Sequence, residues 1–155
     1  LKDGDENEPN CSISPNFAWK ETYTGEKISN MFFNTKFFME PKIVTDIEVL
    51  SRFPSGRVSK IKVSFQTSEE VIIDHKEIRS VFKRKDNGIL RSLLFDIQKD
   101  FSNDRLSKLI ISGRGTGHGV GLCQWGSLNL SQKGYNYKQI IEFYYPSLKI
   151  QEYND

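Results

Sequence analysis

The residues best suited to chemistry lie in one glycine-rich stretch, residues 113–124, which reads Gly-Arg-Gly-Thr-Gly-His-Gly-Val-Gly-Leu-Cys-Gln. Every second residue from Gly113 to Gly121 is glycine, which accepts positive φ and lets other groups approach the backbone closely. Because ordering glycines costs conformational entropy, the run predicts either a tightly bent strand-to-helix connection or an exposed loop that faces a ligand. The polar side chains that remain, Arg114, His118 and Gln124, favour the ligand-binding loop.

Each of these three side chains has a binding role and a simpler alternative. His118, between two glycines, can exchange hydrogen bonds with a sugar hydroxyl or act as a general base near neutral pH. Gln124 can bridge two hydroxyls through its amide, or it can be only a polar residue at the start of a helix. Arg114 can hold a carboxylate through its guanidinium fork, or it can be a solvated surface charge.

Several other chemistries fit this stretch poorly. No glycine stands in the register that a dinucleotide-binding Gly-x-Gly-x-x-Gly motif needs, and the Gly-Lys-Ser/Thr of a phosphate-binding P-loop is missing. Cys123 and His118 could form a nucleophile pair, but no Asp or Asn nearby would orient the histidine. Cys123 is therefore better explained as a small buried hydrophobic residue. No acidic residue stands out as the proton donor that glycoside cleavage requires.

The composition indicates a soluble, globular chain of 155 residues, long enough for one domain with one core. Its net charge of +2 is too small to suggest nucleic-acid binding. With two histidines and two cysteines, we expect no metal site, and no cofactor is indicated. Cys11 and Cys123 could pair in an oxidising compartment, although their spacing does not decide this. The sequence begins without methionine, so we expect it to be part of a longer protein.

The apolar pattern predicts an α+β fold, with antiparallel strands through the middle, a few short helices and two C-terminal helices. Residues 1–16 are predicted to form a polar tail or loop, followed by the domain at 17–155. Thr24 is predicted to cap the first helix and Asn136 the last one. Gly134 is predicted to end the helix before Asn136, and Phe53-Pro-Ser-Gly56 is predicted to form a turn. We predict strands at 17–24, 43–49, 61–65, 71–73, 93–97 and 109–111, and helices at 28–32, 78–82, 125–131 and 137–144.

Two further predictions concern the region between the first helix and the second hairpin strand. Phe37 and Phe38 follow the first helix, and Pro41 breaks their run. The next strand is predicted to be half buried because two sets of residues alternate along it. These sets are Ile43, Thr45, Ile47 and Val49 against Val44, Asp46 and Glu48.

Three motifs resemble the C-terminal signature of the stage II sporulation protein D family. They are Gly-Thr-Gly-His-Gly-Val-Gly-Leu-Cys-Gln-Trp-Gly at 115–126, Lys-Gly-Tyr-Asn-Tyr at 133–137 and Phe-Tyr-Tyr-Pro at 143–146. Upstream positions agree with the family too, namely Trp19, Ser55-Gly56-Arg57-Val58 after Arg52, Ile78-Arg79, and Leu90-Arg-Ser-Leu-Leu-Phe before Asp96. The similarity covers roughly residues 10–150. The sequence departs from the pattern at Cys123, Trp125 and Thr116, where serine, tyrosine and often an aromatic residue are usual.

The resemblance implies that the intact protein acts at the cell envelope, outside the cytoplasmic membrane, as a peptidoglycan lytic transglycosylase. Such an enzyme cleaves peptide-free glycan between N-acetylmuramic acid and N-acetylglucosamine. One glutamate protonates the leaving oxygen and then helps the muramyl 6-hydroxyl to close an anhydro ring. In the family that glutamate lies in an N-terminal segment that this sequence does not contain. We therefore expect no catalytic residue in this chain and expect the missing N-terminal part to supply it.

The resemblance also implies which residues contact the substrate and which partners to expect. Carried over position by position, the substrate-binding residues are His118, Gln124, Arg114 and Tyr145, with loop backbone at Gly115, Gly117, Gly119 and Gly121. The expected partners are peptidoglycan glycan strands and a cell-wall amidase, but not nucleic acid. The alternative to cleavage is a non-catalytic glycan-binding module or an activator of a cell-wall amidase. A third reading is a generic α+β scaffold in which the glycine loop is structural.

Overall fold

Strands dominate the middle of the chain and helices its C-terminal end, which confirms the predicted α+β class. The computed structural model describes residues 4–5, 8–33 and 42–151. The strands are Gly4–Asp5 (β1), Glu8–Pro9 (β2), Ala18–Thr24 (β3), Val44–Arg52 (β4), Val58–Phe65 (β5), Glu70–Asp74 (β6), Phe95–Ser102 (β7) and Arg105–Arg114 (β8). The helices are Gly25–Phe32 (α1), His75–Val81 (α2), Gln124–Gln132 (α3) and Tyr137–Tyr144 (α4), with a 3-10 helix at Asn10–Ile13. No helix in this described part combines the length and the apolar character needed to span a membrane.

The chain divides into two compact units with separate hydrophobic clusters. The first, here called the sheet unit, is Ala18–Gly117. The second, the helical unit, consists of the described residues of Leu1–Phe17 and His118–Asp155. The length is enough for one domain with one core, and the described residues form two hydrophobic clusters, one in each unit. The glycine stretch crosses the boundary between the units, which lies between Gly117 and His118.

The sheet unit contains two antiparallel three-stranded sheets, ordered β3-β8-β7 and β4-β5-β6. Apolar side chains at alternate strand positions bury themselves together with one face of α1 and of α2. The Thr24 hydroxyl accepts a hydrogen bond from the Lys27 N–H, so the predicted helix cap is confirmed. The predicted turn at 53–56 is confirmed as well, since the Gly56 N–H donates to the Phe53 carbonyl and Gly56 has φ of +76°.

The expected alternation in β4 is interrupted. Val44 and Ile47 are buried, whereas Ile43 is exposed. The pairing of β4 with β5 shifts register between Val44 and Asp46, and such a bulge moves the following side chains to the other face of the sheet. The predictions for Phe37, Phe38 and Pro41 lie outside the described residues.

The helical unit has a small core made by α3 and α4. Leu130, Ile140 and Tyr144 are buried together, with Cys123, Phe143 and Tyr145 packed against them. Gly134 ends α3 with φ of +90°, and the Asn136 side chain caps the start of α4, as the sequence predicts. Gln139 completes a capping box with Asn136.

Part of the predicted N-terminal tail is packed against α3. Asn10 is buried in the 3-10 helix, and its carbonyl accepts a hydrogen bond from the Asn129 side-chain amide at 2.9 Å. Its side-chain oxygen accepts from the Lys133 ammonium at 3.4 Å. These contacts give residues 10–13 a defined place in the helical unit, while the division into a tail at 1–16 and a domain at 17–155 stays a prediction.

One buried hydroxyl in the sheet unit has no hydrogen-bond partner among the described residues. Tyr23 is 1% exposed and packs against Phe82, and its hydroxyl is unpaired there. Burial raises the pKa of Tyr23 well above its usual range, and the nearby Glu21 carboxylate raises it further. The folded protein therefore resists ionisation of this side chain more strongly than the unfolded chain does.

Replacing Tyr23 by phenylalanine should keep or raise stability at pH 7, by up to about 1 kcal/mol, because an unsatisfied buried hydroxyl is removed. In the wild type, the raised pKa means that stability is complete below the unfolded tyrosine pKa of about 10 and falls as pH rises beyond it. The variant should lack this part of the alkaline loss. Urea unfolding at pH 7 and at alkaline pH measures both effects. A variant clearly less stable than wild type at pH 7, or an identical alkaline loss in both proteins, would contradict this account of Tyr23.

Candidate functional site

The glycine stretch starts on a strand that is held from both sides. β8 is the central strand of its sheet, and in register Gly113 lies opposite Trp19 on β3 and Phe95 on β7. The strand ends at Arg114, whose side chain is exposed. Two neighbouring strands therefore fix the direction in which the chain enters the loop.

Trp19 covers the start of the loop and requires a glycine beneath it. A Cβ atom on Gly113 would lie 2.1 Å from Cζ2 of the Trp19 ring, which leaves no space for any side chain. The ring is 9% exposed, and its Nε1–H donates a hydrogen bond of 2.9 Å to the Gly115 carbonyl. The sequence placed Trp19 in a strand and among the positions that agree with the resembled family, but nothing in its local pattern reveals this contact.

A buried serine fixes the next part of the backbone. Ser92 is 2% exposed, and its hydroxyl donates to the Arg114 carbonyl at 2.6 Å while accepting from the Leu94 N–H at 3.2 Å. The Arg114 N–H donates to the Leu94 carbonyl, and the Gly117 N–H donates to the Arg91 carbonyl. Residues 114–117 are thus held in one shape despite their glycines. A serine next to the apolar residues 93–95 was the available signal for this role.

The alternate glycines of the loop adopt left-handed backbone conformations. The φ angles are +67° at Gly115, +110° at Gly117, +74° at Gly119 and +92° at Gly121. A side chain with a Cβ atom rarely adopts these angles, so the sequence pattern follows from the path of the backbone.

Downstream of the junction, the loop leads into α3 within the helical unit. His118 is exposed, and Gln124 is the exposed first residue of the helix. The Cys123 sulfur caps α3 by accepting a hydrogen bond from the Gly126 N–H at 3.5 Å. Neither Cys123 nor Cys11 forms a disulfide, and both are half-buried. The cysteine is therefore a helix cap at the edge of the small core.

Tyr145 contacts the end of the loop directly. Its hydroxyl oxygen accepts a hydrogen bond of 3.0 Å from the Leu122 N–H. A Cβ atom on Gly121 would lie 2.6 Å from the same oxygen. The structure thus gives Tyr145 a structural role in addition to the substrate contact that the resemblance implies, and the hydroxyl hydrogen is still able to donate.

The predicted substrate contacts belong to two units. Arg114 ends β8 in the sheet unit, whereas His118, Gln124 and Tyr145 belong to the helical unit. No charged residue occurs between Arg114 and Lys133 in the sequence. Over the part of the chain that the structure describes, no three His, Cys, Asp or Glu side chains gather as metal ligands would. The exposed loop can therefore offer uncharged side chains and backbone N–H groups to a ligand.

Comparison of the sequence with known proteins identifies a matching family and two relatives. The sequence profile of DUF8618, a domain family of unknown function, matches residues 2–121. An uncharacterized protein of Brachyspira hyodysenteriae is 29% identical over 145 residues, which cover 94% of this chain and 34% of that protein. An amidase enhancer of Bacillus subtilis is 35% identical over 65 residues, which cover 42% of this chain and 8% of that protein. The chain spans about a third of the length of the first relative and less than a tenth of the second.

Proposed function

Since the chain belongs to DUF8618, a family of domains of unknown function, we propose a function from its relatives and its loop. The chain binds the glycan strands of peptidoglycan in the cell envelope and thereby enhances a cell-wall amidase. The observation that carries this proposal is the similarity to an amidase enhancer over 42% of the chain. The exposed positions of His118 and Gln124 support the glycan-binding part.

The loop has the chemistry that a sugar polymer needs. An imidazole and an amide can each both donate and accept hydrogen bonds, which suits hydroxyl and acetamido groups. Trp125 is 42% exposed beside Gln124, so an aromatic face is available to pack against a sugar ring. Because residues 115–132 carry no formal charge, no side chain there must be desolvated as an ion when a glycan binds.

Glycan binding is also a physical route to enhancement. A protein that holds a glycan strand and contacts the amidase keeps the amide bonds of the strand close to the enzyme. The second encounter then occurs at a high effective concentration, so the rate rises without any new catalytic group. This route needs no carboxylic acid in the chain, in agreement with the sequence, in which no acid stands out.

A second candidate function is cleavage of the glycan itself by an intact lytic transglycosylase. The motif at 115–126 favours it, because that motif carries the resemblance to the stage II sporulation protein D family. This candidate requires a glutamate that acts as acid and then as base, and no residue of this chain is assigned that role.

An assay with purified amidase and intact peptidoglycan tests the proposal. We expect the initial rate of amide hydrolysis to rise several-fold when the chain is added. The rate is measured as the release of free amines. Replacing His118 and Gln124 together by alanine should remove most of this rise. Gln98→Ala is the matched control, since Gln98 is an exposed glutamine on β7 and should leave the rise intact.

Two results would count against the proposal. An amidase rate that the wild-type chain leaves unchanged would contradict enhancement. Anhydro-muramyl ends formed from peptide-free glycan by the intact protein, with no effect on the amidase, would favour the transglycosylase instead.

A further inference from the structure

Positive charge is concentrated in one short part of the sheet unit, residues 79–91, here called the basic segment. Its basic residues are Arg79, Lys83, Arg84, Lys85 and Arg91. Its one acid is Asp86, so its net charge is +4. The other 142 residues hold 17 basic and 19 acidic residues, a net charge of −2. The whole excess of positive charge in the chain therefore lies in these 13 residues.

Backbone hydrogen bonds fold the basic segment back on itself. Lys83 and Ile89 form an antiparallel bridge. The Leu90 N–H donates to the Arg79 carbonyl at 2.9 Å, and the Arg79 Nε–H donates to the Leu90 carbonyl at 2.7 Å. The segment is thus a hydrogen-bonded turn attached to the end of α2, which holds its charges together in space.

The single acid of the basic segment is already paired, whereas most of the cations are not. The Asp86 carboxylate forms an ion pair of 2.9 Å with the Arg84 guanidinium. Lys83, Lys85 and Arg91 form no ion pair with another described residue. Lys83 and Lys85 are exposed, and Arg91 is half-buried. These three cations are therefore available to an anionic partner.

An exposed isoleucine lies beside these charges. Ile89 is 46% exposed and directly opposite Lys83 in the bridge. Residues that face each other across an antiparallel pair have neighbouring side chains on the same side, so an apolar and a cationic side chain share one surface. A soluble phosphate polymer would use only the cations. A lipid bilayer offers phosphates at its surface and hydrocarbon beneath them, so it matches both side chains.

We propose that the basic segment docks the chain on the anionic surface of a phospholipid membrane. Lys83, Lys85 and Arg91 contact the lipid phosphates, and Ile89 enters the boundary between headgroups and acyl chains. Each lysine or arginine near such a surface strengthens binding by about fivefold, so one segment of this size gives reversible docking. Membrane binding of this kind depends neither on glycan binding nor on an amidase.

Sedimentation of the whole chain with lipid vesicles tests this docking. Vesicles of phosphatidylcholine that contain phosphatidylglycerol should bind the chain, and the binding should weaken as the salt concentration rises, because salt screens exposed charges. Vesicles of phosphatidylcholine alone should bind about tenfold more weakly or not at all, since they carry no net charge. Equal binding to both kinds of vesicle, or binding to neither, would overturn the proposal.

A double lysine variant tests the site. Lys83→Gln together with Lys85→Gln should weaken binding to the anionic vesicles by about thirtyfold, from about fivefold for each lysine. Lys20→Gln together with Lys60→Gln is the matched control, because both lysines are exposed and lie elsewhere in the sheet unit. The control removes the same charge and should bind nearly as the wild type does. An equal loss in both double variants would overturn the site, since the net charge of the chain would then account for the binding.

A single isoleucine variant tests the choice of lipid. Ile89→Ser should weaken binding to the anionic vesicles several-fold, because it removes apolar surface that the bilayer covers. Ile72→Ser is the matched control, since Ile72 is 59% exposed on β6, outside the basic segment, and it should bind as the wild type does. Unchanged vesicle binding by Ile89→Ser would overturn the lipid assignment. Tight binding of linear polyphosphate by that variant would then identify a phosphate polymer as the ligand.

Discussion

Replacing Gly113 by alanine is expected to destabilise the sheet unit by about 3 kcal/mol, at the upper end of the cost of forcing an extra methyl group into a packed interior. The new Cβ atom would lie 2.1 Å from Cζ2 of Trp19. The indole cannot swing away cheaply, because its Nε1–H is bonded to the Gly115 carbonyl and the ring is 9% exposed. Urea unfolding of the purified chain measures the loss.

Two further variants test the cause of this loss. Gly115→Ala introduces left-handed strain at φ of +67° without any atom nearby, so it should cost only about 1–2 kcal/mol. Placing Gly113→Ala in a Trp19→Phe background removes Cζ2, and the added cost of the alanine should then fall by about 1 kcal/mol or more, as coupled neighbours do. A Gly113→Ala protein as stable as wild type would contradict the packing described here.

The second large effect is expected on glycan binding. Gly121→Ala should lower the affinity for peptide-free glycan strands by about tenfold or more, the equivalent of 1.4 kcal/mol or greater. The alanine is strained at φ of +92°, and its Cβ would also displace the Tyr145 hydroxyl that holds the Leu122 N–H. Co-sedimentation with insoluble glycan measures the affinity.

The matched control for Gly121→Ala is Gly134→Ala. Gly134 also has a left-handed φ, of +90°, but it has open space around it. It should bind glycan as the wild type does. Unfolding of the sheet unit should be unchanged in both variants, since neither residue belongs to Ala18–Gly117. Normal glycan binding by a folded Gly121→Ala chain would show that the loop conformation does not matter for the glycan.

Helices that carry their own end signals could be predicted from the sequence. Thr24 before α1 and Asn136 before α4 each accept a hydrogen bond from the backbone three residues later, a pairing encoded within one turn. Gly134 after α3 and the turn at 53–56 are local signals of the same kind. These features could be predicted because each depends on hydrogen bonds and backbone angles within a few neighbouring residues.

Contacts between distant parts of the chain could not be predicted in this way. The bond from Trp19 to Gly115 and the bonds of Ser92 to Arg114 and Leu94 depend on strand register, which one sequence does not reveal. The bulge in β4 has the same origin, because its position depends on pairing with β5. The separate core of the helical unit was missed because apolar spacing shows which face is buried but not which partner covers it.

For the candidate site, the residue types predicted the local backbone conformation, but the sequence did not predict the contacts between distant residues. The glycine run predicted the left-handed conformations found at Gly115, Gly117, Gly119 and Gly121, since few other residues accept them. The hydrogen bond from the Leu122 N–H to the Tyr145 hydroxyl joins positions that are far apart in sequence, so no local pattern predicts it. The substrate-contact roles of His118, Gln124 and Arg114 stay predictions.

Hydrogen exchange of the whole chain, with and without peptide-free glycan strands, tests the central claim most directly. Exchange at residues 118–124 should slow by about tenfold or more when the glycan binds, since the exposed amides of the loop become protected. The backbone amides of β7 should exchange at the same rate in both samples. Unchanged exchange at 118–124 under conditions in which the glycan is bound would contradict the account.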